Sequence, residues 1–412
     1  MDPVTQMILL ITGLLILGTL GEVVFSRTGI PDIIWLVSAG ILAGPVLDLV
    51  SADMLRPILP FFGAFALVTI LSSGGLHLKI SEVADSAPRA LELALSGFFF
   101  SMLAMAAFLW SCAELGYIRQ HGWMIWLMLG AVLGGSSSVV IIPTMAAGKV
   151  EARVADLLSV ESSITDALSV VVALVCVELV LSGEVSVGGS ILALLRAVGI
   201  GLGLGLLGGL LFLPIAYVIH GKTSAFPVLL ASLLLIYALI GLAGGNGALG
   251  ILAASLLIGN SGLVVRRLER YVQIRQTERL QVDENAMAFH GQVIFLVKSF
   301  FFFLIGLMFP LNLKLVVLGI AGALVLLVFR VPATWLSLWG ADFSRRDKGV
   351  VAVAMPRGLA AGVLSAMPLQ MGVPGAENFS SGVFAVIVAS ILLFALGFSL
   401  VNRSAKAKRI GE

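Results

Sequence analysis

Charge is what this chain has least of. Only 12% of its 412 residues are Asp, Glu, Lys or Arg, about half the share of roughly 25% in soluble domains, while 59% are hydrophobic. That balance excludes a soluble globular domain and points to an all-α polytopic membrane protein. Cysteine is nearly missing: Cys112 and Cys176 both lie in apolar runs, which suggests neither a disulfide framework nor a metal cluster and leaves packing as their role. Histidine is sparse as well. His77, His121, His220 and His290 titrate in a useful range, yet they stand scattered near the ends of apolar segments, and none is assigned a pH-sensing role. A net charge of +2 carries no signal for nucleic acid, and none is expected as a partner. The opening Met1-Asp2-Pro3 lacks the basic region and cleavage site of a signal peptide, so the first apolar run is expected to stay as a helix. With no nucleotide-binding or other soluble domain legible, no cofactor and no enzyme chemistry are expected, and function must lie within the membrane.

What the chain has in abundance is apolar runs and glycine. Its 46 glycines suit close packing of transmembrane helices. A spanning helix needs about 20 residues, and runs of that kind predict thirteen spans, near 4–25, 30–49, 54–78, 87–111, 122–147, 154–182, 188–218, 225–243, 246–262, 288–310, 313–338, 347–371 and 378–401. Lys and Arg outside these spans sort eighteen to one side of the membrane and three to the other. Because cytoplasmic loops carry the basic excess, the N-terminus is expected outside and the C-terminus in the cytoplasm. The whole of 1–412 reads as one transmembrane domain, with 402–412 as a short basic cytoplasmic tail. The polar insertion at 263–287 alternates apolar residues with arginine, which suits a helix lying on the cytoplasmic surface and equally a solvated linker.

Two spans are interrupted at matching places. The fifth contains Gly134-Gly135-Ser136-Ser137-Ser138 and the twelfth Met355-Pro356-Arg357-Gly358. Gly and Pro break helices, and freed backbone groups in a membrane must be satisfied by protein or by water in a cavity. The two lie seven spans apart, the spacing of two six-helix repeats joined by one linking span. Because seven is odd, the repeats would be inverted, and paired discontinuous helices of inverted repeats point to a transporter's midplane site.

The sixth span carries the sharpest signal, Glu161-Ser162-Ser163-Ile164-Thr165-Asp166 inside an apolar run. A carboxylate at that depth costs at least about 2.5 to 3.5 kcal/mol and calls for a partner or a wet cavity. Ser162 lies one turn below Asp166 on the same helical face, and Glu161 is rotated about 140° away. Hard monovalent cations take oxygen ligands, so the Asp166 carboxylate, the Ser162 hydroxyl and carbonyls freed at Ser136, Ser137 and Ser138 form a candidate cation site. The alternatives are a buried Asp satisfied by hydroxyls, and serines that merely permit close helix packing. Lys298 lies roughly 15 Å into the tenth span and suits either a structural partner or charge coupling to Asp166. Arg357 can offset half-helix C-terminal dipoles and keep cations from a leak path. Glu92 and Glu178 are assigned no role.

These residues carry a family resemblance. Gly29-Ile30-Pro31-Asp32 leading to Ala39–Pro45, Gly74-Gly75-Leu76, the Ser136–Ser138 break, Glu161–Asp166, Phe301–Leu307, Arg330 and Arg357-Gly358 occur in an order and spacing that resembles the monovalent cation/proton antiporter superfamily, sodium/proton exchangers in particular. The resemblance covers essentially the whole chain. It implies a core of six helices that carries the ion against a dimerising scaffold including the first two spans and their repeat mates. It also implies crossing fifth and twelfth spans beside Asp166 as the ion and proton carboxylate, and a Glu161–Arg330 pair associated with the electroneutral branch. The chain departs from the pattern at Thr165, where Asn or Asp is usual, and at Ser73 and Ser137, where many electroneutral members have Glu and Asp. Asp166 is left as the one carboxylate placed directly on the ion.

The expected function is a secondary antiporter of a bacterial or archaeal cytoplasmic membrane, surrounded by lipid and acting as a homodimer. It would exchange Na⁺, or K⁺ or Li⁺, for H⁺ one to one by elevator-type alternating access, with cation and proton competing for Asp166. A cation channel, or a non-transporting membrane sensor with the same architecture, are the other classes. The first would conduct without proton coupling and the second would show no flux.

Overall fold

The computed structural model describes residues 3–28, 32–50, 59–77, 87–148, 150–182, 187–263, 284–309 and 311–410. Among them all regular structure is helical. The first helices are α1 (Pro3–Thr28), α2 (Asp32–Ile41, running into a π-helical turn at Leu42–Val46), α3 (Leu59–His77) and α4 (Ala87–Glu114). Then follow α5 (Trp123–Val132), α6 (Ser138–Ala147), α7 (Ala152–Ser182), α8 (Val187–Ile219), α9 (Ala225–Leu242) and α10 (Gly247–Gly259). The last are α11 (Glu284–Leu307), α12 (Leu313–Ser337), α13 (Arg345–Val353), α14 (Leu359–Gln370) and α15 (Phe379–Ile410). Among the described residues seven helices, α4, α7, α8, α9, α11, α12 and α15, are long and apolar enough to cross a membrane, and shorter apolar helices accompany them. Large apolar side chains such as Leu211, Leu242, Val328 and Leu396 stay exposed, the reverse of what a water-facing surface selects. The 263–287 insertion lies largely outside the described residues. The helix of α15 continues to Ile410, past the point where the hydropathy of the last span ends.

Both interrupted spans resolve into helix pairs. Gly134 and Gly135 lower helix propensity where α5 stops, and the chain resumes as α6 at Ser138. Pro356 supplies no N–H and pushes Met355 out of the α region, so α13 stops at Val353 and α14 starts at Leu359. Ser344 and Asp347 open α13 with a reciprocal capping box.

The helices divide into two compact units. One comprises Met1–Pro57, Ser86–Gly183 and Lys298–Glu412, and so holds α1, α2, α4 to α7, the last turns of α11 and α12 to α15. Within it α7 is packed on by α4 and by both members of each broken pair, α5, α6, α13 and α14. The first two helices, assigned by the sequence reading to the scaffold, group here with α7. Their tie is a glycine pair: a Cβ on Gly40 would overlap the Phe303 carbonyl, and one on Gly306 the Val37 carbonyl. The other unit comprises Ile58–Asp85 and Glu184–Val297, with α3, α8, α9, α10 and the start of α11. Its α10 packs on α3, α8 and α9, and Gly75, Gly205 and Gly259 sit against neighbouring backbone.

The glycine contacts generate a test. Gly40→Ala and Gly306→Ala should each lower stability by about 1 to 3 kcal/mol, the usual cost of overpacking, whereas Gly13→Ala, with open space around it, should hold or gain up to about 1 kcal/mol. Thermal unfolding of the purified protein in detergent reads the difference.

Candidate functional site

The break between α5 and α6 is strapped to α7 by every polar group of Ser136. Its backbone N–H donates to the Thr165 hydroxyl (3.2 Å), its own hydroxyl donates to Glu161 Oε2 (2.8 Å), and its carbonyl accepts from the Ser162 hydroxyl (2.9 Å). Thr165 in turn donates to the Ser162 carbonyl (3.1 Å). A Cβ on Gly135 would press on the Ser169 hydroxyl and the Thr165 carbonyl, so only glycine lets the break lie this close to α7.

The two breaks meet each other. The Ser137 N–H donates to the Pro356 carbonyl (2.9 Å), and a Cβ on Gly358 would overlap the Ser137 hydroxyl. The crossing therefore depends on small residues on both sides. Pro356 lies in the break between Val353 and Leu359, outside both helices, and its carbonyl is therefore open to a partner across the gap.

Arg357 is fully buried at this crossing, with 2% of its surface exposed. Its backbone N–H donates to the Ser390 hydroxyl (2.9 Å), Nη1 to the Gly134 carbonyl (3.1 Å) and Nη2 to the Ser101 hydroxyl (3.0 Å). Gly134 follows the C-cap of α5, so the guanidinium stands where that helix presents its negative dipole end.

Glu161 and Arg330 form a bidentate buried ion pair, Nη1 to Oε1 at 2.9 Å and Nη2 to Oε2 at 3.2 Å, with exposures of 1% and 3%. Arg330 Nε donates to the Val351 carbonyl near the end of α13 (3.2 Å). One pair thus joins α7, α12 and α13. The carboxylate is saturated further by Ser136, which satisfies the requirement that a buried charge be both paired and hydrogen-bonded.

Asp166 differs from Glu161 in every respect. Its side chain is half-buried rather than sealed, and among the described residues no hydrogen bond or ion pair engages its carboxylate. Glu161 and Arg357 act on it electrostatically. Four charges therefore share the site, two negative and two positive, and Asp166 alone keeps an accessible surface and unclaimed acceptor sites.

The remaining candidates divide. Ser136, Ser137, Ser162 and Thr165 are buried around the crossing and Ser138, half-buried, begins α6. The carbonyls proposed from sequence as free ligands are engaged: that of Ser136 by Ser162, and that of Ser137 by the N–H groups of Val140 and Ile141. The Ser136 carbonyl, with one donor, retains a second lone pair, whereas that of Ser137 already accepts two. Lys298 is half-buried on α11, and Ser73 half-buried on α3 of the other unit. Three hydroxyls escaped the sequence reading. Ser101 and Ser390 hold Arg357, and Ser169, one turn beyond Thr165, has a buried hydroxyl with no hydrogen-bond partner among the described residues. Single serines in apolar runs give no signal until the fold brings them together.

Comparison with known proteins places this arrangement. The family model described as "Sodium/hydrogen exchanger, transmembrane" matches residues 11–402. A K(+)/H(+) antiporter NhaP2 of Shewanella sp. (strain ANA-3) is 27% identical over 401 residues, covering 93% of this chain and 64% of that relative. The chain therefore spans less than two thirds of that relative's length. A K(+)/H(+) antiporter NhaP of Alkalimonas amylolytica is 25% identical over 416 residues, 98% of this chain and 67% of that protein. The solved structure of the sodium proton antiporter MjNhaP1 from Methanocaldococcus jannaschii at pH 8 shares the fold with a TM-score of 0.75 at 20% identity, over 96% of this chain and 98% of that one. With a family match running across nearly its entire length, this integral membrane chain belongs to the sodium/hydrogen exchanger family of monovalent cation/proton antiporters.

Proposed function

We propose that the protein is a secondary antiporter exchanging one monovalent cation, Na⁺ or K⁺, for one proton, with both competing for the Asp166 carboxylate. The observation that carries this reading is the contrast within α7: Glu161 is sealed and doubly paired, whereas Asp166, five residues on, is accessible and unpaired among the described residues. Only the second can accept and release an ion. Ser162, Thr165 and the Ser136–Ser138 segment supply the nearby hydroxyl and carbonyl oxygens that replace water around a hard cation.

Charge supports a one-for-one exchange. Whether Asp166 holds a cation or a proton, the site carries the same total charge, because Glu161 and Arg330 cancel and Arg357 stays fixed. An electroneutral cycle needs that equality. Alternating access would carry α7 together with the two broken pairs packed on it, with the remaining helices, paired in a homodimer, as scaffold. This takes the chain as thirteen spans in two inverted repeats, with the N-terminus outside. The cation follows from two directions. The sequence reading put Na⁺ first, and the archaeal relative with the shared fold is named a sodium proton antiporter. Relatives aligned over 93% of the chain are named K⁺/H⁺ antiporters, which supports K⁺.

Exchange is tested with the purified chain in sealed vesicles carrying a pH dye. Adding Na⁺, K⁺ or Li⁺ should trigger proton movement at a rate unchanged by clamping the membrane voltage, and Asp166→Asn should reduce it to the level of empty vesicles. Normal exchange by Asp166→Asn, or cation flux without proton movement, contradicts the proposal.

The ion pair is separable from transport. Glu161→Gln alone should destabilise the protein by about 3 to 5 kcal/mol by leaving Arg330 buried and uncompensated. Glu161→Gln combined with Arg330→Met should recover much of that loss in thermal unfolding and still exchange ions. Failure of a stable double variant to exchange would instead make Glu161 a proton carrier.

A further inference from the structure

A second site lies away from Asp166, at the corner where α12 turns into α13. Residues Val331, Trp335, Leu338, Trp339, Lys348 and Ala352 line a cleft of about 470 Å³, within the range of roughly 300 to 1,000 Å³ of small-molecule sites. Its walls are largely apolar. The two indoles meet edge to face with centroids 4.0 Å apart, yet they remain 61% and 63% exposed, so they cover the cleft without filling it. Lys348 is exposed at its mouth, as is Arg345 one turn earlier. Asp342 is the exposed acid of the connection before them, whereas Asp347 is buried and held by Ser344. Arg89 is already engaged, donating to the Ser337 and Trp339 carbonyls at 3.1 and 3.2 Å.

We propose that this cleft binds an anionic phospholipid, with an acyl chain along Val331, Trp335 and Leu338 and the phosphate at Lys348. Three observations converge on that occupant. The cleft sits at the end of a helix long and apolar enough to cross the membrane, where exposed tryptophans match the interfacial level of a bilayer. An apolar wall ending in an exposed ammonium has the polarity of one lipid molecule read from tail to headgroup. The exposed basic residues Arg345 and Lys348 outnumber the exposed acid Asp342, Arg346 being engaged by Asn402 and the Gly148 carbonyl, and basic clefts between membrane helices select anionic headgroups.

The location gives the lipid something to act on. Thr334, also in the lining, donates to the Arg330 carbonyl (2.9 Å), and α13 supplies the Val351 carbonyl that accepts from Arg330 Nε. A lipid in the cleft braces the two helices that hold the arginine of the buried ion pair.

Binding is read by native mass spectrometry of the full chain in detergent, supplied with phosphatidylglycerol or phosphatidylcholine, and so does not depend on whether the chain exchanges ions. The wild type should retain phosphatidylglycerol in preference to phosphatidylcholine. Lys348→Gln should weaken that retention about fivefold, the effect of one basic residue at a headgroup, and Lys348→Arg should restore it. Trp335→Leu with Trp339→Leu should lower retention of the lipid while soluble glycerol phosphate fails to compete. Equal retention of both lipids, or of phosphatidylglycerol by wild type and Lys348→Gln, overturns the proposal. So does competition by glycerol phosphate, which would make this a free-phosphate site, or a shift from dimer to monomer in Lys348→Gln with lipid unchanged, which would make it a seat for a second copy. Lys348 is exposed, so this variant folds even where the double tryptophan variant does not, and thermal unfolding confirms it.

Discussion

The structure around Asp166 depends on one constraint: a helix broken in apolar surroundings exposes N–H and C=O groups that water is not there to satisfy. Each such group left unpaired costs on the order of 1 to 3 kcal/mol. Two broken helices side by side solve the problem for each other. Ser137 donates across the gap to Pro356, Ser136 turns its N–H, hydroxyl and carbonyl to α7, and Arg357 fills the carbonyl end of α5 at Gly134. The partners are short hydroxyls and one guanidinium, and their geometry admits little slack. What holds the breaks in place also presses them on the Glu161–Thr165 stretch of α7, next in sequence to Asp166.

The same economy governs the charges. A buried carboxylate paired with arginine and saturated by a hydroxyl has no capacity left for an ion, and that is the state of Glu161. Its neutrality matters to its neighbour. Had Glu161 been unpaired, its negative charge would act on Asp166 with only Arg357 to oppose it and would bias the site toward holding two cations or two protons. Even with Arg330 in place, Asp166 feels both Glu161 and, less strongly, Arg357, the latter fixed through Gly134, Ser101 and Ser390. One free carboxylate beside one fixed cation is the charge arrangement that the proposed one-for-one exchange requires.

How much of this was legible in the sequence depends on how far apart the cooperating residues lie. Gly134-Gly135 and Pro356 announce their breaks locally, because backbone chemistry is written in residue type, and Asp166 stands out because a charge in an apolar run is conspicuous. The family relation emerged from the order of such local signals. The hydroxyls that hold Arg357 left no trace: Ser101 is separated from it by 256 residues, and a serine in an apolar helix equally serves its own i−4 carbonyl, as Ser111 does. The close approach of α2 to the end of α11 left no trace either. Gly40 and Gly306 read singly as helix-packing glycines, and their mutual approach shows only in the fold.

Ser137 shows how the loss of a carboxylate can be a gain in fit. In the pattern this chain resembles, an acid is usual there. Here the Ser137 hydroxyl fills the space that a Gly358 side chain would need, while its N–H is committed to Pro356. A longer acidic side chain would have to find room in that same contact. Serine lets the two breaks close on each other, and under the proposed exchange it would leave the ion to a single acid on the neighbouring helix. Fewer charged ligands mean a weaker hold on any cation, and a carrier that must release its cargo on each side in every cycle needs a hold that is weak enough to reverse.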